Sequence, residues 1–162
     1  MIPQNKFHRL FVAIPLSEDY ISFLNAFREA NKSIKNARWT APENLHLTLC
    51  FIGNVDESKI EEIISVIADL THNTKSFYLD FKETRYAPKK SHPTMIWTEF
   101  MQNKNFANLY HSLHNKLAVY LEKKENRKGP IPHITLARLK SFSKDTLVQN
   151  EKLPGKLNLN TI

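Results

Sequence analysis

The apolar positions of this chain follow two rhythms, one suited to strands and one to helices. From Arg9 to Pro15 the run Leu10, Phe11, Val12, Ala13, Ile14 is nearly continuous and predicts a well-buried strand that Pro15 stops. Ser17 to about Ala30 spaces Ile21, Leu24 and Phe27 one turn apart, with Ser17 and Asp19 near the start, and predicts a helix. After a polar stretch from Asn31 to Asn36, Leu45 to Ile52 reads as a second strand ending at Gly53. Ile60, Ile63, Ile64, Ile67 and Leu70 form the clearest amphipathic stripe. Asp56 or Ser58 opens that helix, and Ser58 with Glu61 has the spacing of a capping box.

Further on, Phe77, Leu79 and Phe81 alternate with Tyr78 and Asp80, which predicts a strand over Ser76 to Phe81 with one covered face. Lys82 to Pro93 is polar and basic and reads as a loop. Thr94 to Phe100 is strand-like, and Phe106, Leu109, Tyr110, Leu113 and Leu117 give a third helical stripe. Gly129-Pro130-Ile131-Pro132 is a stiff entry to a strand over His133 to Leu139, Ser141 to Asn150 has no clear pattern, and Lys156 to Ile162 alternates as a last strand would. The order strand, helix, His-containing strand occurs twice, with intervals of 34 residues from Val12 to His46 and 38 from Met95 to His133. Two units of near-equal length predict two lobes that set equivalent strands on opposite sides of one cleft.

The two His-containing strands carry one side-chain pattern: His46-Leu47-Thr48-Leu49 and His133-Ile134-Thr135-Leu136. Strand periodicity puts His46 with Thr48, and His133 with Thr135, on one face and the aliphatic residues on the other. Two imidazoles and two hydroxyls in one cleft suit attack on a phosphodiester, because a nucleophile must lose a proton while a departing oxygen gains one. Either imidazole can play either part, and the threonine hydroxyls can donate to the phosphoryl oxygens. His8, His72, His92, His111 and His114 lack such a context and read as structural.

Other residues attach to this core less firmly. Cys50 shares parity with His46 and Thr48, so His46, Cys50 and His133 form a rival metal-binding set, but no fourth ligand is evident and a buried free cysteine explains Cys50. Arg138 lies five positions beyond His133, on the wrong face of an ideal strand, and reaches the cleft only through a bend, a bulge or an early strand end. Arg9 and the Arg85, Lys89, Lys90 loop are further anion-binding candidates. Among the aromatic residues that could stack on a base, Phe11, Trp39 and Tyr86 are candidates, whereas Phe51 has the parity of a core residue.

Composition narrows the setting. With 162 residues, 41% hydrophobic and 24% charged, the chain fits one compact domain or two small lobes sharing a core. No apolar stretch has the length of a transmembrane helix, and the run after Arg9 is too short for a signal peptide. A single cysteine excludes an intramolecular disulfide and points to a reducing, cytoplasmic setting. Twenty-three Lys and Arg against sixteen Asp and Glu give a net charge of +7, which favours polyanionic partners.

The chain resembles the 2H phosphoesterase superfamily, in particular its RNA 2′,3′-cyclic phosphodiesterase branch, also called 2′-5′ RNA ligases. The resemblance runs through Arg9 to Ile14, Trp39, Glu43 to Leu49, Phe51-Ile52-Gly53 and Pro132 to Arg138, and covers almost the full length. It implies an α+β, bilobal fold with antiparallel sheets lining a central cleft and helices outside. The implied reaction opens 2′,3′-cyclic phosphate ends of RNA or nucleotides to 2′-phosphates without metal or other cofactor, and 2′-5′ ligation is its reverse. By the same resemblance His133 activates water, His46 protonates the departing ribose 3′-oxygen, Thr48 and Thr135 hold the phosphate, and Arg138 occupies the position of a phosphate-binding arginine. Relatives run further, so a single bilobal domain over 1–162 that lacks the final strand pair is expected, acting as a monomer on RNA ends or small cyclic nucleotides. The alternatives are a non-catalytic RNA-end binding module, and a phosphodiesterase for another nucleotide such as a tRNA-splicing by-product or a 2′-5′ oligoadenylate.

Overall fold

The computed structural model describes residues 6–88, 91–122, 129–141, 147 and 155–159. Their elements follow the order β1 (Phe7–Pro15), α1 (Glu18–Ala30), β2 (Ala37–Trp39), β3 (His46–Asp56), α2 (Ile60–His72), β4 (Phe77–Ala87), β5 (Met95–Phe100), α3 (Lys104–Lys116), β6 (His133–Leu139) and β7 (Lys156–Leu159). The fold is α+β with an antiparallel sheet, as expected. Local chemistry starts the helices: the Ser17 side chain accepts from the Tyr20 amide at 3.4 Å, and Asn103 accepts from the Phe106 amide at 3.0 Å. The predicted capping box is replaced by a short 3-10 turn, Glu57–Lys59, at whose start Asp56 accepts from the Ser58 amide. Of the α2 stripe, Ile63 is buried and Ile64 is exposed.

The strands run β1-β3-β6-β5-β4-β7, with β2 added to β6. Both repeats close on themselves: β1 pairs antiparallel with β3, and β5 with β6. The two repeats touch through one backbone register pair, Leu47 opposite Ile134. Beyond it β3 diverges from β6, and β2 takes the vacated edge through Trp39 opposite Ala137 and Arg38 opposite Arg138. Behind the sheet, Leu24 and Phe27 of α1, Ile63 of α2 and Phe106 and Leu113 of α3 join one core with Leu47, Leu49, Ile134 and Leu136. The opposite face, where the strands diverge, is the cleft.

Each His-containing strand has a bulge directly after its motif. In β6, Ile96 faces Ala137 and Trp97 faces Thr135, leaving Leu136 as the extra residue; in β3, Val12 faces Cys50 and Ala13 faces Thr48, leaving Leu49. Both pairs of consecutive residues, Leu49-Cys50 and Leu136-Ala137, are therefore buried. Alternation flips at that point. β3 also continues past its expected end to Asp56, because a second register shift and the positive φ of Gly53, 98°, bend it without stopping it. A Cβ there would also come within 2.6 Å of the Glu122 Cβ.

The expected loop from Lys82 to Pro93 is instead strand as far as Ala87, hydrogen-bonded to β5. Its charges read as loop because their partners lie across the ladder. Glu99 on β5, 4% exposed, binds Lys82 Nζ at 2.5 Å and the Arg85 guanidinium. Lys89 and Lys90 lie outside the described residues, as does most of the unassigned Ser141 to Asn150 stretch. The last strand is observed over Lys156–Leu159, paired with β4.

Burial by itself would raise the Glu99 carboxyl, but the hydrogen bonds and charges of Lys82 and Arg85 outweigh it and hold the group below its ordinary value of 4.5. Its stabilising contribution is then present above the ordinary carboxylate range and is lost as pH falls through the depressed folded value. Glu99→Gln should cost about 3 kcal/mol at neutral pH by leaving Arg85 without its buried partner. Urea unfolding at a series of acidic pH values should also show a shallower loss of stability for the variant than for the parent chain.

Candidate active site

The antiparallel pairing of Leu47 with Ile134 crosses the two motifs, setting His46 beside Thr135 and Thr48 beside His133. All four polar side chains lie on the face opposite the buried aliphatic pair and line one cleft of about 580 Å³. Upstream of each histidine the chain is held in the same way. His46 Nδ1 donates to the Asn44 carbonyl at 2.7 Å, and His133 Nδ1 donates to the Ile131 carbonyl at 2.7 Å. A carbonyl only accepts, so the proton sits on Nδ1 and Nε2 is the basic nitrogen of each neutral ring. The sequence prepares both geometries with proline: Pro42 begins the turn that ends at Asn44, and Pro130 and Pro132 flank Ile131.

The bulges settle the parity of the flanking residues. Arg138 comes round to the cleft face and lines the cleft, while Cys50 is 2% exposed and packs in the core cluster. Phe51, expected in the core, also lines the cleft and is 57% exposed. The same extra residue causes both changes, since Phe51 follows His46 by the interval at which Arg138 follows His133. Two consecutive apolar residues after each threonine were the readable sign of it. Among the described residues no three His, Cys, Asp or Glu side chains are grouped as metal ligands.

Phe11 and Trp39 line the cleft; Arg9 and Tyr86 do not. Phe11 lies 5.0 Å from the His46 ring and 6.0 Å from Phe51 by ring centroids. Trp39 packs its edge on Phe27 of α1 at 6.3 Å. Tyr86 sits on β4, one strand beyond β5, and packs against the core. Arg9 lines a separate depression next to Phe51. Arg85 is tied to Glu99 within the sheet.

Of the cleft residues the sequence reading missed, Trp97 and Arg38 bear most directly on the site. Trp97 stacks on His133 with centroids 3.8 Å apart and planes at 25°, fixing that ring against the β5 wall. Arg38 is exposed and stands directly across from Arg138 on β2 and β6, with both side chains lining the cleft. Like charges directly opposite weaken a strand pair, so this placement suits a bound anion. A three-residue strand has too little alternation to be read from sequence, and Arg38 was passed over with it.

The two halves thus share a scaffold and differ in what it carries. Phe11 faces Phe51 across β1 and β3; in the same places Met95 faces Arg138 across β5 and β6, the Arg138 guanidinium lying 3.8 Å from the Met95 sulfur. The His46 half of the cleft carries the two phenylalanines, and the His133 half carries the arginine pair together with Trp97 and Trp39.

The sequence matches the family model for LigT-like phosphoesterases over residues 14–97. It is 32% identical to the RNA 2′,3′-cyclic phosphodiesterase of Thermotoga maritima over 137 residues, covering 83% of this chain and 71% of that protein. It is also 32% identical to the Methanocaldococcus jannaschii protein of the same name, covering 82% and 72%. Among solved structures, E. coli LigT complexed with 3′-AMP superposes with a TM-score of 0.78 at 22% identity, covering 95% of this chain and 84% of that one. A Thermus thermophilus protein does so with 0.77 at 22% identity, covering 94% and 84%. Sequence and fold agree, and the chain belongs to the LigT-like, RNA 2′,3′-cyclic phosphodiesterase family of 2H phosphoesterases.

Proposed function

We propose that the protein opens 2′,3′-cyclic phosphates at RNA or nucleotide ends to 2′-phosphates by a two-histidine, metal-independent mechanism. The observation that carries this reading is the convergence of two identically oriented imidazoles and two threonine hydroxyls on one cleft that has an arginine pair at its wall. Displacement at phosphorus needs an entering and a departing oxygen on opposite sides. The crossed arrangement offers an imidazole for each, with the hydroxyls between them to hold the non-bridging oxygens.

The unequal halves support a division of roles. A nucleoside brings a base and a ribose, which suit Phe11 and Phe51; the phosphoryl oxygens bring negative charge, which suits Arg138 and Arg38. With the ribose on the His46 side, His46 is the acid that protonates the departing 3′-oxygen. His133 then takes a proton from water through Nε2, and the water oxygen bonds to phosphorus as the bond to the 3′-oxygen breaks. Thr48 and Thr135 donate to the phosphoryl oxygens throughout. Trp97 keeps the His133 ring in line for attack. With a ribose 5′-hydroxyl in place of water the same displacement joins two ends: the hydroxyl gives its proton to His133, its oxygen bonds to phosphorus, and the 3′-oxygen leaves with a proton from His46, giving a 2′-5′ linkage.

Purified protein in excess chelator should convert a nucleoside 2′,3′-cyclic phosphate to a 2′-phosphate, identified by phosphorus NMR. His46→Ala and His133→Ala should each lower kcat at least 100-fold, on the order expected for loss of one general acid or base. The parent rate should follow a bell-shaped pH profile, since one imidazole must be neutral and the other charged.

The assignment of acid and base has its own test. A cyclic substrate with sulfur in place of the 3′-bridging oxygen has a leaving group that needs no proton. Most of the rate lost in His46→Ala should return with that substrate, whereas His133→Ala should remain slow. Recovery in His133→Ala alone would reverse the assignment.

A further inference from the structure

Beyond Phe51 the outer face of β1 and β3 continues into a second depression of about 340 Å³, lined by Arg9, Gly53, Asn54 and Glu122 among others. Phe51 borders both this depression and the catalytic cleft, so one exposed ring stands between two adjacent cavities. Arg9 and Asn54 are cross-strand partners, and both are exposed. Over the first five residues of β1 the exposed side chains are Phe7, Arg9 and Phe11, alternating with the less exposed His8 and Leu10. The sheet therefore presents aromatic, cation, aromatic outward from His46, with successive members about 6.8 Å apart by strand rise. Interleaved stacking faces and cations of this kind track a single-stranded nucleic acid.

We propose that this depression is a subsite for the nucleotide preceding the reacting one, with Arg9 binding the phosphodiester that links the last two nucleotides of a single-stranded RNA. The inference rests on the reading above that the terminal nucleoside lies on the His46 half, because only then does the strand leave the cleft past Phe11 and Phe51. Among the described residues Arg9 has no carboxylate partner, which leaves its charge for a phosphate. The Glu122 side chain reaches over Gly53, which faces Leu10 and not Arg9 across the ladder. Its carboxylate repels a phosphate there and accepts from the amino edge of a base, while the Asn54 amide can donate as well as accept. Phosphate is thus directed to the Arg9 rim and the base to the interior. A cyclic mononucleotide fills the catalytic cleft and leaves this surface bare.

The test compares a five-nucleotide RNA and a mononucleotide, each ending in a 2′,3′-cyclic phosphate, using the parent chain, Arg9→Ala and Arg9→Lys. Arg9→Ala should lower the ratio of kcat/KM for the RNA to that for the mononucleotide about tenfold, and Arg9→Lys should restore most of it. In parallel, fluorescence anisotropy with the same RNA carrying a 2′-phosphate end reads binding without turnover. There Arg9→Ala should flatten the slope of log affinity against log salt by about 0.7, one phosphate contact on a single strand. An unchanged ratio together with an unchanged salt slope would overturn the subsite. Absence of turnover by the parent chain on both substrates would count against the catalytic reading alone, since the anisotropy arm still decides the subsite.

Discussion

The contact on which this architecture turns is the packing of Leu47 against Ile134, both fully buried. It is apolar, lies on the core side of the sheet and takes no part in any chemistry. Yet it is the register pair that joins the two repeats, and each member sits between the histidine and the threonine of its own motif. Burying these two side chains against each other obliges their neighbours to emerge together on the other face. A slip by one residue would turn the polar side chains of one motif into the core. The hydrophobic requirement of the core thus fixes the relative position of groups that would otherwise have no reason to meet.

Because the pairing is antiparallel and local, the cleft inherits a pseudo-two-fold relation. Hydrolysis of a phosphodiester does not share it, since one side of the phosphorus bears a nucleoside and the other admits water. The structure resolves the mismatch outside the repeated motif. The histidines keep equivalent backbone anchors, to the carbonyls of Asn44 and Ile131, while the residues beside them diverge: Phe11 and Phe51 on one half, Met95 and Arg138 on the other. Trp97 and the Arg85 to Glu99 ion pair stiffen the second half further. Duplication supplies the two imidazoles, and divergence of their neighbours gives the cleft a direction.

Much of this was legible in the chain. The repeated order of elements, the faces of the three helices and the shared face of each His-x-Thr pair follow from periods of 3.6 and 2, which side chains of the core enforce. What escaped was local departure from those periods. A regular strand puts Phe51 on the wrong face and lets Arg138 reach the cleft only through a bend or bulge, and Leu49-Cys50 and Leu136-Ala137 mark where alternation does break. The outer part of β4 reads as loop because its basic residues find a buried partner, Glu99, only across the ladder on β5. Arg38 was missed since β2 has no periodicity of its own and exists only as an edge added to β6. The β4 and β2 cases both trace to a partner strand distant in sequence.

The bulges themselves have a physical rationale within the proposed site. A regular strand would send the residues two and four positions after each histidine into the cleft; the latter positions hold Cys50 and Ala137, which are small and apolar. Inserting one extra residue sends Cys50 and Ala137 into the core and brings out the next side chain along, a phenylalanine in one repeat and an arginine in the other. Each strand thereby delivers three groups to one cleft: an imidazole, a hydroxyl and a larger recognition side chain displaced along the strand. The displacement matters, because base and guanidinium contacts must lie farther from phosphorus than the proton-transfer groups. The local cost is a disrupted ladder at the bulge, and the buried pair of apolar residues on the core side offsets it. A bulge at the same place in both repeats therefore lets the sheet present imidazole, hydroxyl and recognition side chain on one continuous surface.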